Sequence, residues 1–373
     1  MAEAAGGDAA IALIDVAKRF PNADRDAVGN LSLDIHAGQI TALIGPSGCG
    51  KTTTLKMINR LIEPTSGRIL LEGTNVLEQD PVQLRRRIGY VIQTVGLLPH
   101  RTIEDNIGTV PRLLGWDAKR IAARVQEMAE LFELDDDLLA RYPGELSGGQ
   151  RQRVGVARAL AADPGVMLMD EPFAAVDPIV RGRLQEEFLS IQERLRKTIV
   201  FVTHDIDEAI KLADRIALLN VGGVLEQYAP PERMLREPAN PFVEEFLGYE
   251  RGLRRLALTK VGDIGVEEGP VVAPGTTAEE ARRVMRAFGG DWASVVDGDE
   301  LLGWIEESQL EGVATVSQVQ PRRFSAYVTD EDSLRIALDS VVTSRTQVAV
   351  VVTEGQHYRG ILTLEHISKE IVT

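Results

Sequence analysis

Short apolar runs separated by helix-patterned stretches set the rhythm of the first two thirds of the chain. Ile11 to Val16 and Leu31 to Ile35 alternate apolar and polar positions, and the polar segment 21–30 between them reads as a loop joining antiparallel strands. Val166-Met167-Leu168-Met169 is continuously apolar, as expected of a central parallel strand covered on both faces. Ile40-Thr41-Ala42-Leu43-Ile44, Ile88-Gly89-Tyr90-Val91-Ile92 and the β-branched run Thr198 to Thr203 read as further strands, and Arg68 to Leu71 as another. Leu55, Ile58 and Ile62 fall at helical spacing. From Gly96 to Ala162 the pattern becomes helical: Thr102 with Asp105 resembles a capping box, and Asp117 can cap a helix carrying Ile121, Val125, Met128 and Phe132. The fold class that follows is α/β, with an antiparallel β portion near the start and a helical insert.

Past Pro238 and Pro241 the rhythm changes. Phe242 to Leu247 can close the first domain, taken as 10–248, and a second runs from 254 to 373. Val328-Thr329-Asp330, a helix over Ser333 to Val342, strands at Val348 to Val352 and Gly360 to Thr363, and a last helix give a β-α-β-β-α order. Val271 to Leu310 repeats that order more faintly, with Glu279 to Phe288 as its helix. The second domain is therefore an internal repeat, about 254–315 and 316–373.

Candidate chemistry sits where the continuous runs end. Gly45-Pro46-Ser47-Gly48-Cys49-Gly50-Lys51-Thr52-Thr53 follows the Ile40 run and opens the Leu55 helix, a strand, glycine-rich turn and helix that together make a phosphate-binding loop. Glycine tolerates the positive φ angles that turn amides toward phosphate oxygens, and the helix start adds unpaired N–H groups. Lys51 can reach the outer phosphates, and the Thr52 hydroxyl suits Mg2+, which favours oxygen ligands. Asp170 and Glu171 end the Val166 run, where one acid can hold Mg2+ through water and the other can act as base toward an attacking water. His204 ends a neighbouring run, at the strand ends where such sheets bind ligands. Leu146-Ser147-Gly148-Gly149-Gln150 opens another helix, with Ser147 as its cap, and makes a second anion-ready helix start. Cys49, beside Lys51 and a helix start, is expected to carry a reactive thiol.

Composition narrows the partners. The 373 residues carry a net charge of -15, with a single cysteine. Such an acidic chain is a poor ligand for nucleic acid, and one cysteine cannot form an internal disulfide. The first residues lack the charge and apolar core of a signal peptide, and no apolar stretch is long enough to span a bilayer.

These motifs, in this order and spacing, resemble the ATP-binding cassette, or ABC, ATPases over about residues 10 to 248. The resemblance implies a RecA-like core, an antiparallel β subdomain and a helical subdomain, with ATP and Mg2+ as cofactors. It places Phe20 where an aromatic stacks on adenine, although Tyr is more usual there. It gives Gln93 contact with Mg2+ and the attacking water, and His204 a hold on the γ-phosphate. Ser147, Gly148, Gly149 and Gln150 would form the signature that meets ATP on a second subunit, and Asp177 would belong to the loop joining the two sites, so the implied active unit is a homodimer. Ala174-Ala175-Val176-Asp177 departs from the more frequent Gly-Ala-Leu-Asp but keeps the acid.

Lys56 to Gly67, Arg87 to Gln93, Leu98-Pro99-His100 and Pro111 to Trp116 look most like the ATPase subunits of importers for glycine betaine, choline, carnitine and other quaternary amines. That implies integral-membrane permease subunits, an extracytoplasmic substrate-binding protein acting indirectly, and a place on the cytoplasmic face of the membrane. An importer for amino acids or polyamines would share the same ATPase chemistry, and a non-transport ABC ATPase is a further rival. The repeats after 254 resemble a pair of cystathionine-β-synthase-type (CBS) repeats, a regulatory module open to a small-molecule or ionic regulator. Neither Thr363 with His366 nor Glu306 with Gln309 has the acid that commonly holds a ribose in such repeats.

Overall fold

The computed structural model describes residues 9–93, 96–174, 176–353 and 357–372. The chain forms two compact units, Met1–Leu247 and Gly248–Thr373.

In the first unit, strands β1 (Ala9–Lys18), β2 (Val28–His36), β4 (Ser66–Leu71) and β5 (Thr74–Asn75) make an antiparallel sheet in the order β2-β1-β4-β5. The alternation seen in the sequence is the cause: Leu31, Leu33 and Ile35 of β2 are buried while Asn30, Ser32 and Asp34 face outward. The second sheet runs β10-β9-β3-β8-β7-β6, using β3 (Ile40–Ile44), β6 (Ile88–Val91), β7 (Val166–Asp170), β8 (Thr198–Val202), β9 (Arg215–Asn220) and β10 (Val224–Ala229). Every neighbour pair from β9 to β6 is parallel, and only β10 is antiparallel to β9. All five residues of β3, of β7 and of β8 are buried, which is why these strands read as unbroken apolar runs.

Eleven helices of this unit among the described residues complete it: α1 (Lys51–Ile58), α2 (Pro81–Arg87), α3 (Ile103–Ile107), α4 (Thr109–Leu113), α5 (Ala118–Leu131), α6 (Asp136–Leu139), α7 (Gly148–Leu160), α8 (Pro178–Leu195), α9 (Ile206–Leu212), α10 (Pro231–Arg236) and α11 (Pro241–Leu247). Their starts follow the sequence signals. The side chains of Thr102, Asp117 and Ser147 each accept a hydrogen bond from the backbone N–H three residues on, at 3.2, 2.9 and 3.2 Å. One apolar cluster ties the two sheets together, joining Ile11, Leu33 and Ile69 to Leu43, Leu55, Met57, Leu168 and Val200. Each such fully buried side chain contributes about 1.5–3 kcal/mol, so the strand ends that carry the chemistry rest on a rigid platform.

The second unit holds two copies of one order. The first is β11 (Val271–Val272), α13 (Ala278–Phe288), β12 (Trp292–Asp297) and β13 (Glu300–Glu306), closed by a 3-10 turn at Glu307–Leu310. In the second, Val328 makes a single parallel bridge to Val351, followed by α14 (Leu334–Thr343), β14 (Val348–Val352), β15 (Tyr358–Thr363) and α15 (Leu364–Val372). The arm before each copy packs on the other copy. Leu256, on α12 (Arg251–Leu258), and Val261 lie in the core of the second copy with Leu334 and Val351, while Val316 lies in the core of the first with Ala281 and Val295. A third cluster, Trp292, Trp304, Phe324, Val350 and Ile361, joins the two sheets, and Arg345 of the second copy donates to Glu306 of the first at 2.6 Å.

Candidate functional site

The carboxyl ends of β3, β6, β7 and β8 carry, in turn, the glycine-rich loop, Gln93, the Asp170-Glu171 pair and Thr203-His204. Parallel strands side by side bring these four segments to one edge of the sheet, where open α/β sheets bind ligands. A cleft of about 560 Å3 lies there, lined by Ala27, Gly45, Ser47, Gly48, Gly50, Lys51, Thr52, Thr53, Glu171 and His204.

The loop needs its glycines. Gly45 has φ +143°, and a Cβ there would stand 2.0 Å from the Leu219 carbonyl oxygen. Gly50, at φ +98°, would bring one within 2.5 Å of the Ala27 carbonyl oxygen. Lys51 Nζ donates to the carbonyls of Gly45 and Pro46 at 2.8 and 3.0 Å, which folds the loop around its own ammonium. Pro46 and Cys49 do not line the cleft. Cys49 is fully buried, with Lys51 Nζ 3.6 Å from its sulfur, so the expectation of a reactive thiol is corrected: the side chain packs into the core with Leu55 and Met57.

Thr52 Oγ1 donates to Asp170 Oδ1 at 2.9 Å, pairing two oxygen donors between the start of α1 and the end of β7. Burial raises the pKa of the Asp170 carboxyl, while the Thr52 hydrogen bond and Lys56 act in the opposite direction. Hard oxygen donors of this kind fit Mg2+. Among the described residues no group of three His, Cys, Asp or Glu could hold a metal ion.

Glu171 follows directly. Its φ of +47° is a left-handed conformation rare for a side-chain-bearing residue, and its N–H donates to the Val202 carbonyl at 2.9 Å. Such a conformation costs about 1–3 kcal/mol and persists only where its surroundings over-determine it. Here the kink turns the carboxylate to meet two neighbours: Gln93 Nε2 donates to Oε2 at 2.8 Å, and His204 Nδ1 lies 3.4 Å from Oε1.

Ser147 stands at a helix start outside the cleft lining. Its backbone N–H donates to Gln150 Oε1 at 2.9 Å, closing a reciprocal capping box, and Gly148 and Gly149 form the first turn of α7. Gly149 has room for little more: a Cβ would come 3.1 Å from Val180 of α8. Phe20 is 40% exposed beyond the end of β1, with Lys18 Nζ 5.3 Å from its ring centre. Asp177 directly precedes α8, where its carbonyl accepts from the Arg181 N–H at 2.8 Å, and Ala175 lies outside the described residues. Ala27 of the cleft wall lies inside the segment read only as a loop; nothing in a lone alanine there signals a wall.

A glycine-rich loop between β3 and α1, a hydroxyl–carboxylate pair beside it and a carboxylate held between an amide and an imidazole are the features of a P-loop ATPase. Residues 28–174 match the family model described as ABC transporter. The chain is 46% identical to the osmoprotectant import ATP-binding protein OsmV of Salmonella typhimurium, over 92% of this chain and 90% of that protein. It is also 46% identical to the glycine betaine/carnitine/choline transport ATP-binding protein OpuCA of Bacillus subtilis, over 91% and 90%. The dimeric structure of MJ0796, a bacterial ABC transporter cassette, matches with TM-score 0.54 at 32% identity, covering 59% of this chain and 98% of that one. A post-hydrolysis state of the same cassette bound to ADP and Pi matches with TM-score 0.53. The chain belongs to the family of ATP-binding subunits of ABC import systems, and its activity is ATP hydrolysis coupled to transport. Among the described residues no helix is long and apolar enough to cross a membrane.

Proposed function

We propose that this chain powers import of quaternary-amine osmoprotectants such as glycine betaine, working as a homodimer on the cytoplasmic face of the membrane with integral-membrane permease subunits. An extracytoplasmic binding protein would deliver the solute. The observation that carries the catalytic part of this reading is the Gln93–Glu171–His204 constellation at the edge of the phosphate loop. The kinship to OsmV and OpuCA over nine tenths of the chain supports the solute class.

In this reading the amides of residues 45–53 and Lys51 bind the phosphates of ATP, and Phe20 covers the adenine. Thr52, Asp170 and Gln93 would hold Mg2+, whose chemistry here would be to offset phosphate charge in the transition state. Glu171 takes the proton of the attacking water, Gln93 orients the carboxylate, and His204 donates to the γ-phosphate. Ser147, Gly148, Gly149 and Gln150 close over the nucleotide of the second subunit, and Asp177 joins the two sites. The helix start at Ser147 stands apart from the chain's own cleft, which suits a signature that serves a partner's ATP. The two copies of the β-α-β-β order in the second unit fit a CBS pair that regulates the ATPase.

The test is ATP-driven uptake of radiolabelled glycine betaine by vesicles carrying the chain with its permease and binding protein, at low and high internal salt. Uptake that disappears in Glu171→Gln and rises with salt supports the reading. ATP hydrolysis without betaine uptake would move the solute to another class.

A further inference from the structure

The face of α8 toward α9 carries a polar network, part-exposed at Arg181 and Asp205 and buried at Gln185 and Glu208, that none of the roles above uses. Arg181 Nη2 donates to the Val176 carbonyl at 3.0 Å, in the turn just before Asp177. The other terminal nitrogen, Nη1, stands 3.9 Å from Asp205 Oδ2, in the residue directly after His204. Asp205 in turn fixes its own segment: its Oδ1 accepts from the N–H groups of Asp207 and Glu208 at 2.9 and 3.2 Å, and its N–H donates to Thr203 Oγ1 at 3.0 Å. One helical turn along α8 from Arg181, Gln185 Nε2 donates to the buried Glu208 carboxylate at 3.1 Å. A planar guanidinium presents its donors in a fixed fork, so one side chain sets the spacing of two groups at once.

We propose that Arg181 is a positioning residue that couples the turn at Val176-Asp177 to the His204 segment. The inference rests on the roles given above to Asp177 and His204. A shift of the turn toward or away from a second subunit moves the Val176 carbonyl, Arg181 follows, and Asp205 carries the displacement to His204 and so to Glu171, 3.4 Å from its ring. Arg181 does not line the cleft; its guanidinium reaches the chemistry through Asp205 and His204.

The test is steady-state and single-turnover ATP hydrolysis by the full chain carrying Arg181→Ala, Arg181→Lys, Asp205→Asn and the Arg181→Ala/Asp205→Asn pair, with His204→Ala as reference. Arg181→Ala is expected to lower kcat about tenfold with KM for ATP within about twofold. Lys, which can reach one partner but not both, recovers only part of the loss, and added guanidinium ion restores Arg181→Ala toward wild type. The pair should lose no more than Arg181→Ala alone, because both changes break one connection. Additive losses, a kcat unchanged in Arg181→Ala, or a loss accompanied by equally weakened nucleotide binding and unrescued by guanidinium would each overturn the proposal. If His204→Ala hydrolyses ATP as wild type does, the assignment of His204 fails and this inference falls with it; an inactive His204→Ala beside a fully active Arg181→Ala defeats the inference alone.

Discussion

Gln93 Nε2 donates to Glu171 Oε2 across 2.8 Å, joining the segment after β6 to the end of β7. The two residues are 78 apart in sequence, and parallel pairing of Ile88–Val91 with Val166–Met169 brings them together. The amide donor fixes the orientation of the Glu171 carboxylate and leaves its other oxygen facing His204.

Glu171→Gln preserves size and an acceptor for the Gln93 amide, yet a carboxamide cannot take a proton. Its turnover should fall about 10²–10⁴-fold, the range of general-base contributions, with ATP still bound. Phosphate release measured beside equilibrium nucleotide binding checks both halves. Turnover near the wild-type rate would remove Glu171 from its role as base.

Much of this site is visible in the residue string, because its parts are contiguous motifs bounded by strand and helix patterns. Gly45 to Thr53, Asp170-Glu171 and the Ser147 cap are examples: each is local, and each needs particular residue types for a stated backbone or charge reason. What the string does not show is orientation. Cys49 lies among cleft-lining residues, yet its side chain points into the core with Leu55 and Met57, since a tight turn sends successive side chains to different sides. Arg181 carries no local mark; Val176 lies five residues before it, but its second partner, Asp205, is set by how α8 lies against α9. The arms of the second unit are a similar case. The β-α-β-β order is legible, but the packing of Val261 with the second copy and Val316 with the first depends on tertiary contacts.

The hydrogen bond of Thr52 to Asp170, 2.9 Å long, marks the proposed Mg2+ site. Thr52→Val, which removes the hydroxyl at similar volume, should raise the Mg2+ concentration for half-maximal hydrolysis about tenfold, the scale of one lost bond to a charged group. Chelation with EDTA should stop hydrolysis outright, and restored Mg2+ should recover it. An unchanged Mg2+ titration in Thr52→Val would take this hydroxyl out of the metal's ligand set.

Burial dictates the behaviour of Cys49, whose relative exposure is 0%. A thiol-specific reagent should leave the native chain unlabelled over the time in which denaturant-unfolded chain reacts completely, because a thiolate must be both formed and reached. Mass spectrometry of quenched samples reads this directly. Rapid stoichiometric labelling of the native protein would mean that the loop opens far more readily than its packing allows.

Gly45→Ala tests the loop from its backbone. The added methyl group would meet the Leu219 carbonyl oxygen at 2.0 Å in a residue already at φ +143°. Loss of stability by about 3 kcal/mol or more is expected, at the upper end of single-residue effects, together with loss of ATP binding. Gly48→Ala, where a Cβ would meet nothing within 4 Å, should cost only the strain of a positive φ, about 1–2 kcal/mol. Denaturant unfolding of the two variants ranks them, and equal losses would show that backbone conformation, not the β9 carbonyl, sets the requirement at position 45.

Glu208 gives a pH dependence whose sign can be worked out. Burial raises its pKa, opposed by hydrogen bonds from Thr203 and Gln185 and by Arg181, and reinforced by Asp205. The folded chain therefore holds this proton more tightly than the unfolded chain, and the charged form is penalised in the fold. That penalty is absent below the ordinary glutamate value, grows as pH rises toward the folded value, and is complete above it. Glu208→Gln removes the ionisation and keeps an oxygen to accept from Gln185. It should melt above the wild type at about pH 8, with the difference shrinking toward about pH 4 as the native carboxyl takes up its proton. Paired thermal melts across that range are decisive: a difference that instead grows on acidification would mean that the network stabilises the carboxylate more than burial penalises it.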